Sequence, residues 1–285
     1  MLLVSWRQFA TLLFFAVISS SAFLRAADVK SEDVVARHLD SIGTAQARKD
    51  LKSRVVEGSC TYRVIVGGSG AVDGKFVLAT AGRKANFLFK VNTNDFRGEQ
   101  FISDGSKTSE AGTYNDKTRS ELGYFVYSQD APLRENLLGG VWSAGWPLLD
   151  LDARKGKVHY EGSKKVDGKE LIALRYEPKK STDLDIVLYF DPQTYQHVMT
   201  IYKMERSNSL AGGETAQAGK QPRRYEIEER FSDFKTADGL TLPTHYDLRY
   251  TLETETGFKK TIEWEVKALG IHNNIGIDDR SFQVQ

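Results

Sequence analysis

The stretch Gly82-Arg83-Lys84-Ala85-Asn86-Phe87-Leu88-Phe89-Lys90 decides how this chain is read. From Asn86 to Val91 it reads as a β-strand. Strand side chains alternate with period two, so Phe87, Phe89 and Val91 share one face. Arg83 stands at the mouth of that strand, where a guanidinium can cap, latch or close an apolar surface. The fold question is whether that surface is a filled core or an open pocket.

Outward from this stretch the same period recurs. Val56, Cys60, Tyr62, Val64 and Val66 alternate with Val55, Glu57, Ser59, Thr61, Arg63 and Ile65, and Lys75 to Thr80 reads as a strand. Downstream the signal is almost continuous, with strands expected at 157–166, 169–177, 184–190, 196–204, 223–234, 240–252 and 258–271. Leu184, Ile186, Leu188 and Phe190 face one way, as do Leu240, Leu242, Tyr246, Leu248 and Tyr250. Phe258, Ile262, Trp264 and Val266 oppose Lys259, Glu263, Glu265 and Lys267. One apolar and one wet face is the mark of an antiparallel sheet with a solvated side. Asp-Gly recurs at 73–74, 104–105, 167–168 and 238–239, each expected to form a tight hairpin turn. Gly67-Gly68-Ser69-Gly70 lacks the Gly-Lys-Ser/Thr ending of a phosphate loop and is read as a hairpin connection.

Helices are expected at two places. Ser31 and Asp33 open a segment with Val34, Val35, His38, Leu39 and Ile42 at helical spacing, broken near Gly43 and resumed over 45–51. Pro132 starts a short helix over 132–138. Tyr124 to Tyr127 is expected as one more strand. Gly139 to Leu149 places Trp142 and Trp146 in a glycine-rich segment, read either as core anchors or as an apolar lid. The expected architecture is mainly β with helices, about ten to twelve strands in one curved antiparallel sheet. A sheet of that size must curl or close, and its apolar face then becomes concave.

The chain has 285 residues, a formal charge of +1, 40% hydrophobic and 27% charged residues. No basic stripe marks a nucleic-acid binder. A single cysteine, Cys60, rules out an intramolecular disulfide and a zinc ribbon. Its face-sharing with Tyr62 and Val64 points to a buried, inert thiol. Residues 1–26 are expected to be a cleaved signal peptide: Arg7 supplies the positive charge, 9–18 (FATLLFFAVI) the apolar core, and small residues follow. Removal of Arg7 and Arg25 would take the formal charge to −1. Residues 27–285 are expected to form one exported domain, with 207–221 (SNSLAGGETAQAGKQ) as a disordered loop.

Several motifs, in order, resemble the periplasmic lipoprotein-carrier superfamily, the LolA/LolB-like proteins. Gly82-Arg83-Lys84-Ala85-Asn86-Phe87 is similar to the group's arginine-proline-asparagine-aromatic strand start. Ile102-Ser103-Asp104-Gly105-Ser106-Lys107 is similar to its Ser-Asp-Gly-Lys hairpin. Val166 to Leu174 and Leu188 to Tyr195 are similar to the paired segments around its strand–Asp-Pro-x-Thr turn, and the ending Asn274 to Phe282 resembles its closing tail. The resemblance implies an unclosed antiparallel half-barrel under a helical lid, acyl chains as ligand, and Arg83 as the lid latch. Ala85 stands where the group has proline, and Thr108 to Tyr114 is polar where the group is aromatic. The cargo therefore stays open between lipid and lipoprotein.

Catalytic patterns are absent from the sequence. His38, His159, His197, His245 and His272 form no ligand or triad spacing, and no Gly-x-Ser-x-Gly occurs. Glu226 with Glu228, and Glu263 with Glu265, fall on wet strand faces, and His245 with Asp247 is too little for a metal site. The expectation is a monomeric, non-enzymatic periplasmic carrier for envelope sorting, with no cofactor, no metal and no nucleic-acid partner. Its ligand contacts would be Arg83, Phe87, Phe89, Trp142, Trp146, Leu188, Phe190, Leu242, Tyr246, Leu248 and Trp264, with an envelope membrane protein as donor or acceptor. The alternatives are a sensor or interaction module of the same fold and a secreted hydrolase.

Overall fold

In the computed structural model, residues 30–91, 93, 96–111, 120–206 and 223–284 are described. The expected signal peptide and the expected loop at 207–221 lie outside them. Twelve strands build one antiparallel sheet in the order β5-β4-β3-β2-β1-β14-β13-β10-β9-β8-β7-β6. The strands are β1 (Ser53–Val66), β2 (Ala71–Ala81), β3 (Lys84–Val91), β4 (Gly98–Ser103), β5 (Thr108–Ala111), β6 (Lys157–Val166), β7 (Lys169–Glu177), β8 (Asp185–Phe190), β9 (His197–Arg206), β10 (Arg223–Ser232), β13 (His245–Thr254) and β14 (Lys259–Asn273). β11 (Lys235–Ala237) and β12 (Leu240–Leu242) form a separate hairpin. The sheet is open, with β5 and β6 at its two edges.

That topology has a consequence for the middle of the chain. β5 and β6 are consecutive in sequence but lie on opposite edges, so the chain between them must cross the sheet. It crosses on the concave side through α3 (Glu121–Ser128), α4 (Ala131–Arg134), two 3-10 turns at Gly140–Trp142 and Pro147–Leu149, and α5 (Leu151–Arg154). Leu122, Phe125, Val126, Leu133, Leu137, Leu138, Val141, Trp142, Trp146 and Leu148 of this crossing join the core formed by the strands' apolar faces. α1 (Ser31–Ile42) adds Val34 and Ile42 to the same core, and α2 (Ala45–Asp50) follows it. The convex face carries ion pairs instead: Arg63–Glu265 at 2.6 Å and Arg249–Glu263 at 2.7 Å between neighbouring strands, and Arg230–Glu228 at 2.6 Å along β10. The paired glutamates of the sequence are thus rungs of a charged outer face, as their parity implied.

Three local expectations are corrected. Tyr124 to Tyr127 lies in α3, not in a strand. Ser120 caps that helix by accepting the Gly123 amide at 2.8 Å. Leu122, Phe125 and Val126 are buried while Tyr124 and Tyr127 are exposed, a period of three to four rather than two. Asp73-Gly74 sits inside β2 and makes no turn. The hairpin loop is already supplied by 67–70, and Gly74 admits the Lys90 carbonyl, which would lie 2.3 Å from a Cβ. The expected strand at 240–252 is two strands, because Pro243 offers no amide and Thr244 turns its own to the Ser232 carbonyl at 3.2 Å. Of the remaining Asp-Gly pairs, 167–168 and 238–239 both take left-handed φ as expected, and Gly105 does so in the β4–β5 turn. Cys60 is buried, and burial pushes its thiol up to about 11.

Candidate functional site

The concave face is the candidate binding site, and the chain itself fills it. Phe87, Phe89, Trp142, Trp146, Leu188, Phe190, Leu242, Tyr246, Leu248 and Trp264 all belong to one continuous core, none more than 3% exposed. Their rings interlock: Phe76 lies 5.1 Å from Phe87 and 5.6 Å from Trp142, and Trp142 lies 5.2 Å from Tyr246. Residues 137–149 act as a plug. Trp142 and Trp146 enter the concavity, and Gly139-Gly140 turns the chain into it. Both glycines take left-handed φ (79° and 52°), and a Cβ would lie 2.7 Å from Leu78 Cδ2 or 2.6 Å from Phe231 Cζ. Only glycine fits there without displacing neighbours.

Backbone hydrogen bonds to buried side chains hold the plug. The Gly139 amide donates to Glu229 Oε1 at 2.7 Å, and Arg54 Nη1 donates to the Val141 carbonyl at 2.6 Å. The Ala144 amide donates to Thr80 Oγ1 at 2.9 Å, and Arg154 Nη2 donates to the Gly145 carbonyl at 2.7 Å. Trp142 Nε1 donates to the Pro243 carbonyl at 2.7 Å, and Trp146 Nε1 to His38 Nε2 at 3.0 Å. His38 Nδ1 lies 3.0 Å from the Tyr195 carbonyl and so carries the ring proton, leaving Nε2 to accept. Burial, only partly offset by that carbonyl, lowers its pKa to about 4.

Solved structures with a similar chain path are known. A DUF1329 family protein from Desulfovibrio piger shares 11% identity at a TM-score of 0.47, covering 88% of this chain and 96% of its own. A LolA superfamily protein from Nitrosomonas europaea shares 10% at 0.46, covering 90% and 98%. A putative outer membrane lipoprotein-sorting protein domain from Vibrio parahaemolyticus shares 11% at 0.41, covering 87% and 97%. No family model matches this chain, and no curated protein does.

Arg83 stands apart from the other candidates. It is exposed in the β2–β3 turn and makes no hydrogen bond or ion pair among the described residues. Its turn does abut the plug: a Cβ on Gly145 would lie 2.1 Å from the Gly82 carbonyl oxygen. Within this structure the arginines that grip plug carbonyls are Arg54 and Arg154.

The polar floor of the site escaped the sequence reading. Glu229 is fully buried and accepts Tyr202 Oη at 2.6 Å and Tyr246 Oη at 2.7 Å besides the Gly139 amide. Burial pushes its carboxyl up to about 7, against the opposing pull of those three donors. Arg54 is 1% exposed, donates to Asn273 Oδ1 at 2.8 Å, and is lowered to about 9 by burial. Glu229 has a legible signal, since it shares strand parity with Ile227 and Phe231. Arg54 has one too, preceding Val56 on the inward face. A second buried carboxyl, Glu99 on β4, is pushed up to about 8 chiefly by burial; Ser120 stands nearby, yet no hydrogen-bond geometry reaches either oxygen. Among the described residues no group of three or more His, Cys, Asp or Glu is placed to hold a metal.

Proposed function

We propose that this chain is a non-enzymatic, exported envelope protein that binds an acyl chain of a lipid or lipoprotein on its concave face after residues 137–149 withdraw. One observation carries the reading: an open sheet presents a continuous aromatic and aliphatic face that is covered, among the described residues, by the chain crossing, α1 and the short β11–β12 hairpin rather than by a second large sheet. A twelve-carbon chain gains about 9 kcal/mol on burial, at about 0.8 kcal/mol per methylene. Arg83, beside the plug at the Gly82 turn, would meet the plug or a membrane protein donor in the open form. Mass spectrometry of solvent extracts from natively purified protein tests the proposal. Acyl species at stoichiometric amounts support it, and an empty extract with no uptake of added dodecanoate refutes it.

A second reading is favoured by the filled concavity. The occupant seen is polypeptide, which suits an interaction module that engages a membrane partner through this face. A stable protein partner recovered from envelope membranes, with no acyl species in the extract, would establish that reading over the first.

A further inference from the structure

The seat of residues 137–149 reads polypeptide as well as apolar surface. Glu229 and Thr80 each take an amide N–H from the plug, while Arg54 and Arg154 each take a carbonyl. Each indole N–H has a fitted acceptor, Pro243 O or His38 Nε2. Glu229 and Arg54 are both buried, and neither forms an ion pair among the described residues; their partners are neutral, and the plug backbone is one of them for each. A bare hydrocarbon chain offers no amide to either, and would leave a buried acid and a buried guanidinium short of a partner, which is costly.

The closed arrangement also carries its defects at this interface. Among the described residues, eight buried side-chain atoms lack a hydrogen-bond partner, and five of them lie on or against the crossing segment: Arg54 Nη2, Arg134 Nη2, both amide atoms of Asn136, and His197 Nδ1. Asn136 is itself held in left-handed backbone at φ 58°. Buried unpartnered polar groups mark where a packed structure is least satisfied.

From these contacts we infer that residues 137–149 are an intramolecular stand-in for a polypeptide ligand, and that the seat accepts a glycine- and aromatic-containing segment of a partner in their place. This rests on the reading of the concave face as the binding site opened by the plug. The tethered segment competes at an effective concentration on the order of millimolar, so a free segment binds well only when the tethered one is loosened. Gly139→Ala loosens it, because its left-handed φ and the 2.7 Å approach to Leu78 exclude a Cβ.

The experiment uses the full chain and a fluorescent peptide, LLGGVWSAGWPLL with a lysine tag, read by anisotropy. Gly139→Ala is expected to bind this peptide at least tenfold more tightly than wild type. A peptide with alanine at both tryptophan positions is expected to lose at least tenfold. Dodecanoate uptake is measured in parallel on both proteins. If dodecanoate binds and the peptide does not, the polypeptide inference falls and the acyl-chain reading stands. If neither binds, both fall. Should Gly139→Ala fail to fold by circular dichroism, the wild type is titrated to millimolar peptide against a scrambled sequence; equal binding of the two overturns the inference, and preference for the native order supports it.

Discussion

Glu229→Gln tests the polar floor of the site through its pH dependence. The carboxyl is fully buried, and burial raises it from 4.5 to about 7. Between those values the folded protein holds the proton and the unfolded chain does not. Unfolding therefore releases a proton, and rising pH favours unfolding. The contribution is fully present below pH 4.5 and is lost as pH rises through about 7. At 1.36 kcal/mol per pH unit, the interval corresponds to about 3 kcal/mol. Glutamine cannot titrate; its one carbonyl oxygen can serve the Gly139 amide and Tyr246, which share Oε1, while its NH2 replaces Oε2 and donates to Tyr202 Oη. Urea unfolding followed by tryptophan fluorescence at pH 4.5, 6, 7 and 8 gives the stability of both proteins. The wild-type value minus the variant value is expected to fall by about 3 kcal/mol across this range. Other buried groups titrate too: Glu99, pushed up to about 8, acts in the same sense. His38, lowered to about 4, and His197, also lowered by burial, act oppositely, costing stability as pH falls below 6.5. These three are common to both proteins and cancel in the difference. A pH-independent difference would refute the account of Glu229.

Arg54→Ala orphans the Val141 carbonyl and opens a hole beside the plug, so a loss of about 2–4 kcal/mol is expected in urea unfolding; a loss under about 0.5 kcal/mol would remove Arg54 as a grip on the plug. Cys60, buried and pushed up to about 11, is expected to resist a thiol reagent at pH 8 until denaturant is added; rapid native labelling would contradict its placement. Arg83→Leu, at an exposed turn, is expected to shift stability by no more than about 0.5 kcal/mol while altering the rate of dodecanoate exchange. An unchanged rate would take Arg83 out of the mechanism.

Period-two alternation made the sheet legible, because an antiparallel sheet with one wet face writes its parity into every strand. Lys157–Val166 and Lys169–Glu177 emerge with the bounds read from their residues. What parity does not reveal is which distant segment covers the apolar face. Tyr124 to Tyr127 looked like a strand because four residues are too few to separate periods of two and three and a half. The sequence allows Trp142 and Trp146 as core anchors or as a lid, and the structure buries both in the core on the crossing segment. A lone arginine beside an aromatic strand singles out Arg83, whereas the guanidiniums buried against the plug are those of Arg54, across β2 on β1, and Arg154 in α5. Glu229 is of opposite parity to the wet-face Glu226 and Glu228, and its parity with Ile227 and Phe231 sets it among the apolar positions. Charged residues at inward positions were the available signal for the polar floor.

Hydrogen exchange of residues 137–149, followed by mass spectrometry with and without dodecanoate, bears most directly on withdrawal of the plug. The Gly139 and Ala144 amides are held by Glu229 and Thr80 in the closed form. On ligand addition this segment is expected to exchange at least tenfold faster while β10 and β13 stay protected. Uptake of dodecanoate with 137–149 still fully protected would contradict binding in place of the plug.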